Sequence, residues 1–305
     1  MTAALALTRE PSFASEIDAF AHGEYHPDES RHTPSFAGRL EPHGGSGRYH
    51  LYLSWASIPS HHSAILRGLL GLEDAVSLSH VDSLRDGRGW AFRSRTGPDP
   101  VNGFTLLREA YEATSPGFSG EVRVPLLWDR QTGAIASDHP ELIIANLLGR
   151  CGAGPVPGLA SGSAVDAEVE RLTRAFAGEL NASAALSDPS RRSPFRQALA
   201  DLDRRLATRR YLVGVDPSDA DVRLWVRLAR LDAGPNACGT IGPRLDRYPD
   251  LWRWSTDLYE LPAFCANTDF RRFAAPFANL PPWPLCGDGE RAQSIRRAEL
   301  LRYSL

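Results

Sequence analysis

The sequence predicts an α/β N-terminal domain followed by an all-helical C-terminal domain. Short apolar runs typical of strands alternate with helical segments up to about residue 149, and beyond residue 165 apolar residues recur only at helical spacing. A chain of 305 residues is long enough for two domains, since a domain commonly holds about 100–200 residues. We therefore divide it into an N-terminal arm (1–47), an α/β domain (48–149), a linker (150–164) and a helical domain with a C-terminal tail (165–305).

The α/β domain opens with a strand, a tight turn and a helix. Residues 49–55 alternate as a strand, and apolar residues at 64–70 have helical spacing that Gly71 ends. Ser57 then lies at or just before the helix N-terminus, where free backbone N–H groups and the helix dipole favour an anion or a thiolate. Ser is also a preferred N-cap residue, so a purely structural role for Ser57 stays open.

The remainder of this domain continues the alternation. We predict strands at 75–80, 122–128 and 134–137, and helices at 104–114 and 141–148. The order β-α-β-α-β-β-α is the thioredoxin-like arrangement, in which a cis-proline loop faces the N-terminus of the first helix. Pro125 interrupts a predicted strand, so the Val124–Pro125 bond is a candidate cis peptide. The long excursion 81–103 contains Trp90, which either contributes to function or holds the loop in place.

The C-terminal half has the pattern of a helical bundle. The segment 150–164 is rich in Gly, Pro and Ala and indicates a linker. Ser218 and Asp221 form a capping-box pattern at the start of one predicted helix. Predicted helices cover 167–186, 194–209, 220–231, 251–261 and 291–303, with a Pro- and Gly-rich tail loop at 276–290.

Composition excludes several classes of protein. A net charge of −3 argues against a nucleic-acid-binding surface, and no apolar run reaches the roughly 18 residues of a membrane span. Residues 1–7 lack the pattern of a signal peptide, so we expect a cytoplasmic protein. The four cysteines show neither CxxC nor metal spacing, and the nine histidines form no convincing ligand set, so we expect reduced thiols and no metal site.

Six short motifs are spread over both predicted domains: Arg48–Tyr52, Gly71–Ala75, Gly89–Phe92, Asp99–Gly103, Val124–Asp129 and Asp219–Leu224. With these motifs the chain resembles the glutathione transferase superfamily and, more narrowly, the glutathionyl-hydroquinone reductases of the xi class. The resemblance covers about residues 24–280. It implies a homodimer with a glutathione site in the N-terminal domain and a catalytic cysteine at the first helix that attacks glutathionylated hydroquinones.

This chain departs from that family at the reactive position. Ser57 stands where the family has its cysteine, while the histidine four residues later is retained as His61. Asp138 and His139 replace a Glu-Ser pair that holds the γ-glutamyl group in the family, and Arg123 replaces a small hydroxyl residue. The resemblance therefore implies Ser57 and His61 as catalytic candidates, and Trp90, Arg123, Val124, Pro125, Asp138 and His139 as binders of the thiol cofactor.

The chemistry expected of this chain follows from the serine. A hydroxyl cannot form the mixed disulfide of a Cys-dependent hydroquinone reductase, but Ser57 can donate a hydrogen bond to the thiolate of glutathione or another small thiol. We expect thiol-dependent transfer, lyase or isomerase chemistry on an electrophilic aromatic or quinone-like small molecule. Three alternatives stay open: a Ser57–His61 nucleophile–base pair, a thiol-independent acid–base enzyme of specialised metabolism using His61, Arg123, Asp138 and His139, and a non-catalytic binding protein.

Overall fold

A computed structural model describes residues 12–18, 20–21, 35–38, 47–149, 189–239, 241–274 and 283. The chain divides into two compact units: an N-terminal unit (Met1–Ser60 and Asp74–Ile143) and a C-terminal unit (His61–Glu73 and Ile144–Leu305). Most of the predicted arm, the linker at 150–164, the helices at 167–186 and 291–303, and all but one residue of the tail loop at 276–290 lie outside the described residues. The predicted domain limits therefore stay predictions.

The N-terminal unit contains a four-stranded mixed sheet in the order β2-β1-β3-β4. Strand β1 is buried at every position, as expected of a central strand, and pairs parallel to β2 and antiparallel to β3. This sheet confirms the predicted thioredoxin-like arrangement. The strands are β1 (Tyr49–Ser54), β2 (Val76–Val81), β3 (Leu126–Asp129) and β4 (Ala134–Ser137).

A short piece of the N-terminal arm runs along the outer edge of β4. Ala37 bridges Ser137 in antiparallel fashion, and the Gly38 N–H donates to the Ala136 carbonyl at 2.8 Å. A Cβ at position 38 would lie 2.4 Å from that carbonyl oxygen, so only glycine allows this close approach. The arm thereby protects an otherwise open sheet edge.

Three helices belong wholly or in part to the N-terminal unit: α1 (Ile58–Leu69), α2 (Arg108–Thr114) and α3 (Pro140–Gly149). Helix α2 begins four residues later than predicted, because residues 105–107 pair with residues 90–92 in extended form: the Phe92 N–H donates to the Thr105 carbonyl at 2.8 Å and the Leu107 N–H to the Trp90 carbonyl at 2.9 Å. Strand β3 likewise begins only after Pro125, which has no N–H to contribute to the ladder.

The C-terminal unit is helical in its described part, as predicted. The capping box is confirmed: the Asp221 N–H donates to Ser218 Oγ at 3.4 Å, and the Ser218 N–H donates to Asp221 Oδ2 at 2.9 Å. The indole of Trp254 also donates to Asp221, at 2.8 Å, which ties two helices together. The helices are α4 (Pro189–Leu206), α5 (Asp219–Ala233), a 3-10 turn (Leu245–Arg247), α6 (Pro249–Tyr259), α7 (Pro262–Cys265) and α8 (Phe270–Ala274).

Two further observations concern the expected class of protein. Among the described residues, no helix has both the length and the apolar character needed to cross a membrane, and no cluster of His, Cys, Asp and Glu could hold a metal ion. Cys238 is exposed with a free thiol, whereas Cys265 is bonded in a disulfide. The expectation of reduced thiols is therefore wrong for Cys265, because spacing along the chain does not record tertiary contacts between distant cysteines.

A buried ion-pair network holds another piece of the arm. Arg93 is fully buried, and its guanidinium bonds Asp82 at 3.0 Å, Asp86 at 2.9 Å and the Ser15 carbonyl at 3.0 Å. Hydrogen bonds from Arg88 hold the pKa of Asp86 well below its usual range, so this carboxylate stays ionised. Residues 12–18 are thus fixed onto the 81–103 loop, which sequence patterns did not predict.

We expect Arg93→Met to destabilise the protein by about 2–3 kcal/mol, because Asp82 and Asp86 each lose their fully buried partner. Each carboxylate keeps one partly exposed arginine, Arg95 or Arg88. The matched control is Arg95→Gln, since Arg95 bonds the same Asp82 but has a side chain 38% exposed. The control should cost about 1 kcal/mol or less. Urea unfolding of both variants measures the difference, and equal small losses would contradict the importance of the buried network.

Candidate active site

Ser57 is the N-cap of α1. Its hydroxyl oxygen accepts a hydrogen bond from the Ser60 N–H at 3.2 Å, which satisfies one of the first-turn donors that have no intrahelical partner. Its own N–H donates to the Ser54 carbonyl at 3.0 Å, at the end of β1. The side chain is partly exposed. The predicted capping role is present, and the hydroxyl still lies at the positive end of the helix.

The cis-proline loop meets α1 at this hydroxyl. The Val124–Pro125 bond is cis, as predicted, and the Ser57 hydroxyl donates to the Val124 carbonyl at 3.4 Å. Hydroxyl donors usually lie about 2.7–2.8 Å from their acceptors, so this bond is long and weak. A ligand acceptor with more negative charge than a carbonyl oxygen can therefore receive this hydrogen bond in place of Val124, at little cost.

Arg123, just before the loop, is held by its backbone and by its side chain. Its N–H donates to the Tyr111 hydroxyl at 3.0 Å, and its guanidinium lies 2.6 Å from Glu121 Oε2. The ion pair offsets the positive charge that Arg123 brings to this loop. The guanidinium side chain is only 21% exposed.

Asp138 is completely buried, and its contact with the thiol cofactor stays a prediction. Its carboxylate accepts hydrogen bonds from the Phe36 N–H at 2.8 Å, the Ser35 N–H at 3.2 Å and the Tyr111 hydroxyl at 3.2 Å. Burial and the neighbouring Asp138 raise the pKa of Tyr111 well above its ordinary value, so this hydroxyl remains a neutral donor. The carboxylate thus holds the arm and α2 together rather than presenting open acceptor sites.

His139 lies at the start of α3, in the position of a cap. Its carbonyl accepts from the Ile143 N–H at 2.9 Å, its N–H donates to Ser137 Oγ at 3.2 Å, and Nδ1 lies 2.9 Å from Glu141 Oε2. The imidazole is 35% exposed. It remains accessible, but its contacts are those of a helix terminus.

His61 makes its contacts in the C-terminal unit. Its Nε2 lies 2.9 Å from Thr268 Oγ1, and Thr268 in turn donates its hydroxyl proton to the Phe264 carbonyl at 2.7 Å. Thr268 must then accept at its oxygen, so Nε2 of His61 carries the proton. This imidazole nitrogen is a donor held by the segment after α7, and the contact gives no support to a Ser57–His61 nucleophile–base pair.

Trp90 belongs to the hydrophobic core of the N-terminal unit. Only 6% of its surface is exposed, and it packs in a buried cluster with Phe92 and Leu107. The Leu107 N–H donates to its carbonyl at 2.9 Å, and the guanidinium of Arg85 covers its ring at 4.3 Å. The geometry supports the structural alternative, in which Trp90 holds the loop, and contact with a cofactor stays a prediction.

Sequence reasoning missed Tyr111, which connects two of the predicted site elements. Its hydroxyl accepts from Arg123 and donates to Asp138, and its ring is fully buried among apolar side chains. In the sequence it is one apolar-face residue of a short helix. The one available signal is chemical: a buried Tyr usually requires a hydrogen-bond partner for its hydroxyl.

Comparison with known proteins places this arrangement in a family. Residues 166–257 match the model of the glutathione S-transferase C-terminal domain. Glutathionyl-hydroquinone reductase PcpF of Sphingobium chlorophenolicum is 31% identical over 224 residues, covering 69% of this chain and 71% of that protein. The crystal structure of glutathione-S-transferase Xi from Phanerochaete chrysosporium superposes with a TM-score of 0.66 at 25% identity, covering 84% and 97% of the two chains.

A second solved structure adds the ligand seen in a relative. The glutathione-bound structure of YqjG, a glutathione transferase homologue from Escherichia coli K-12, superposes with a TM-score of 0.63 at 25% identity, covering 81% of this chain and 90% of that one. The curated YqjG is a glutathionyl-hydroquinone reductase, 30% identical over 240 residues. These likenesses indicate the same fold as the features described above, namely the sheet with its cis-proline loop and the helical C-terminal unit. The chain belongs to the glutathione S-transferase superfamily, with glutathionyl-hydroquinone reductases and Xi-class transferases among its relatives.

Proposed function

We propose that this protein is a transferase-type enzyme that binds glutathione, or another small cellular thiol, with the sulfur at the N-terminus of α1. Ser57 is the donor to the thiolate, and the second substrate is an electrophilic aromatic or quinone-like small molecule. The observation that carries the proposal is the position of the Ser57 hydroxyl, which caps α1 and reaches Val124 beside the cis bond. Glutathione is the first thiol to test, because PcpF is a glutathionyl-hydroquinone reductase and YqjG has been solved with glutathione bound.

The geometry suits activation of a bound thiol. A helix N-terminus has the equivalent of about half a positive charge and stabilises an anion in its first turn. A hydroxyl donor aimed at the sulfur adds a charge-assisted hydrogen bond. Both favour the thiolate, the nucleophilic form. Its sulfur can add to an electrophilic carbon of a quinone-like ring, where the electron pair of the broken π bond moves to the ring oxygen and is protonated, or it can displace a leaving group from an aromatic carbon. Ser57 itself forms no covalent bond in this scheme.

Reductive deglutathionylation does not fit the same site. That reaction requires a protein thiolate to take the glutathione sulfur into a mixed disulfide, with the quinol as leaving group. The reactive position here holds an oxygen, and none of the four cysteines falls within residues 48–149. We therefore propose that the chain is not a Cys-dependent hydroquinone reductase, in contrast to the relatives with that name.

Acid–base chemistry without a thiol has less support. Asp138 is buried and bonded to three protein donors, Arg123 pairs with Glu121, and His139 lies against Glu141. His61 directs its Nε2 proton to Thr268. The candidate acids and bases thus have structural partners, whereas the Ser57 hydroxyl donates only a long bond. The homodimer implied by the resemblance and the cytoplasmic location expected from residues 1–7 remain predictions.

Ser57→Cys should introduce the mixed-disulfide chemistry that the wild type lacks. A thiol at the N-terminus of α1 has the dipole and donors that lower thiol pKa values, so it should form a glutathione adduct on exposure to a glutathionylated hydroquinone. Mass spectrometry with peptide mapping measures the adduct and the released quinol.

The exposed Cys238 provides an internal control for non-specific thiol reaction in both proteins. Reduction of the glutathionylated quinol by the wild type would contradict the non-reductase proposal. A folded Ser57→Cys variant that forms no adduct at position 57 would contradict the placement of the thiol at this helix terminus.

Glutathione should stabilise the wild type, and S-methylglutathione should stabilise it less, because the methylated sulfur cannot become a thiolate. Glutathione at about 100 times its dissociation constant would add about 2.7 kcal/mol of stability. Differential scanning fluorimetry over a concentration series of each compound measures the two shifts. Equal shifts would argue against thiolate recognition, and no response to any cellular thiol would support the acid–base or binding alternatives.

A further inference from the structure

Two sets of hydrogen bonds, joined by the backbone of residues 123–124, lead from the candidate reactive position into the protein interior. The Ser57 hydroxyl donates to the carbonyl of Val124, and the neighbouring residue, Arg123, donates its N–H to the Tyr111 hydroxyl at 3.0 Å. Tyr111 donates onward to Asp138 at 3.2 Å. All these residues belong to the N-terminal unit. The backbone on which Ser57 rests is thus connected to α2 and to the start of α3.

The inner part of this chain is fully buried and shared among several segments. Tyr111 and Asp138 have no exposed surface, and the same carboxylate also accepts from Ser35 and Phe36 of the N-terminal arm. Removing one partner from a buried hydrogen bond leaves the other unsatisfied, at a cost of about 1–3 kcal/mol. Such a network has one well-defined geometry and transmits that geometry to the backbone it holds.

We propose that Tyr111 and Asp138 are positioning residues for the thiol site: they fix the backbone of Arg123, and with it the Val124 carbonyl, at a set distance from Ser57. The inference rests on the proposed function. Neither side chain needs to touch the thiol, since the carboxylate is buried and the phenol lies between Asp138 and Arg123. Their effect on the ligand passes through the loop that forms one wall of the site.

The same fold contains a matched network whose side-chain hydrogen bonds, among the described residues, run to the loop at 99–104 and not to the cis-proline loop. Tyr52 is also fully buried, and its hydroxyl donates to Asp99 at 3.0 Å and accepts from Asn102 Nδ2 at 2.9 Å. Asp99 in turn accepts from backbone N–H groups of its own loop, including that of Val101. Both tyrosines belong to one hydrophobic cluster. Deleting either hydroxyl is therefore the same chemical change at the same depth.

The experiment compares Tyr111→Phe with Tyr52→Phe. Urea unfolding should show similar losses of stability, because each variant leaves a buried carboxylate and an N–H donor short of one partner. Isothermal titration with glutathione should separate them: the dissociation constant should rise about tenfold in Tyr111→Phe, or about 1.4 kcal/mol, and stay within about twofold of the wild type in Tyr52→Phe. Asp138→Asn, paired with Asp99→Asn, repeats the comparison from the acceptor side.

Each result has a defined meaning. Weaker glutathione binding in Tyr111→Phe and Asp138→Asn, with normal binding in their Tyr52 and Asp99 counterparts, supports the positioning role. Equal affinity in all four variants and the wild type overturns it, while leaving the thiol site itself intact. Equal weakening in both pairs also overturns it, because the effect is then one of general stability. A wild type that binds no glutathione or other thiol overturns the proposed function instead.

Discussion

The first turn of α1 and the cis-proline loop meet at one hydroxyl, and the candidate site depends on that meeting. Ser57 closes the helix by accepting from Ser60 and at the same time reaches across to Val124. Sheet pairing brings the two elements together, since β1 leads directly into the turn before α1 and β3, the antiparallel neighbour of β1, follows Pro125. The sheet register therefore sets the distance between a helix terminus and a loop carbonyl.

A single change of atom at this meeting point alters the chemistry available. Sulfur at the helix terminus would be a nucleophile able to exchange disulfides, whereas oxygen there is a donor that leaves the nucleophilic role to the ligand. The residues around it are also held by protein partners. Asp138 lies fully in the interior, and Arg123 and His139 lie against carboxylates of their own neighbourhood. The neighbouring carboxylates consequently reduce the positive charge that Arg123 and a protonated His139 would bring to this region.

Local patterns predicted the elements well. The alternation of residues 49–55, the helical spacing before Gly71, the capping box at Ser218 and the cis bond before Pro125 all depend on neighbours a few residues apart, and all are confirmed. The first turn of α2 was placed too early, because residues 105–107 pair with the backbone of residues 90–92, which lie outside the local helix pattern.

Long-range contacts explain what the sequence could not provide. Tyr111 and Asp138 are 27 residues apart, and Asp138 and Ser35 are 103 apart, so no spacing links them. The burial of Arg93 could not be predicted from local sequence either, since an arginine in a polar loop usually has an exposed side chain. For His61, sequence position suggested a partner for Ser57, but Thr268, from a distant part of the chain, holds its Nε2 proton.

If Ser57 stabilises a thiolate at the N-terminus of α1, the thiol of bound glutathione must have a lower pKa than the free thiol. Ultraviolet absorbance of the thiolate, followed against pH with saturating protein, gives that pKa for the wild type and for Ser57→Ala. A free thiol of this kind has a pKa of about 8.5. We expect a pKa of about 7 or below for the thiol bound to the wild type. On Ser57→Ala we expect this pKa to rise by about one unit or more toward 8.5, because the hydrogen bond to the charged form is lost. A bound thiol with a pKa of about 8.5 on both proteins would contradict a thiolate-stabilising role for Ser57.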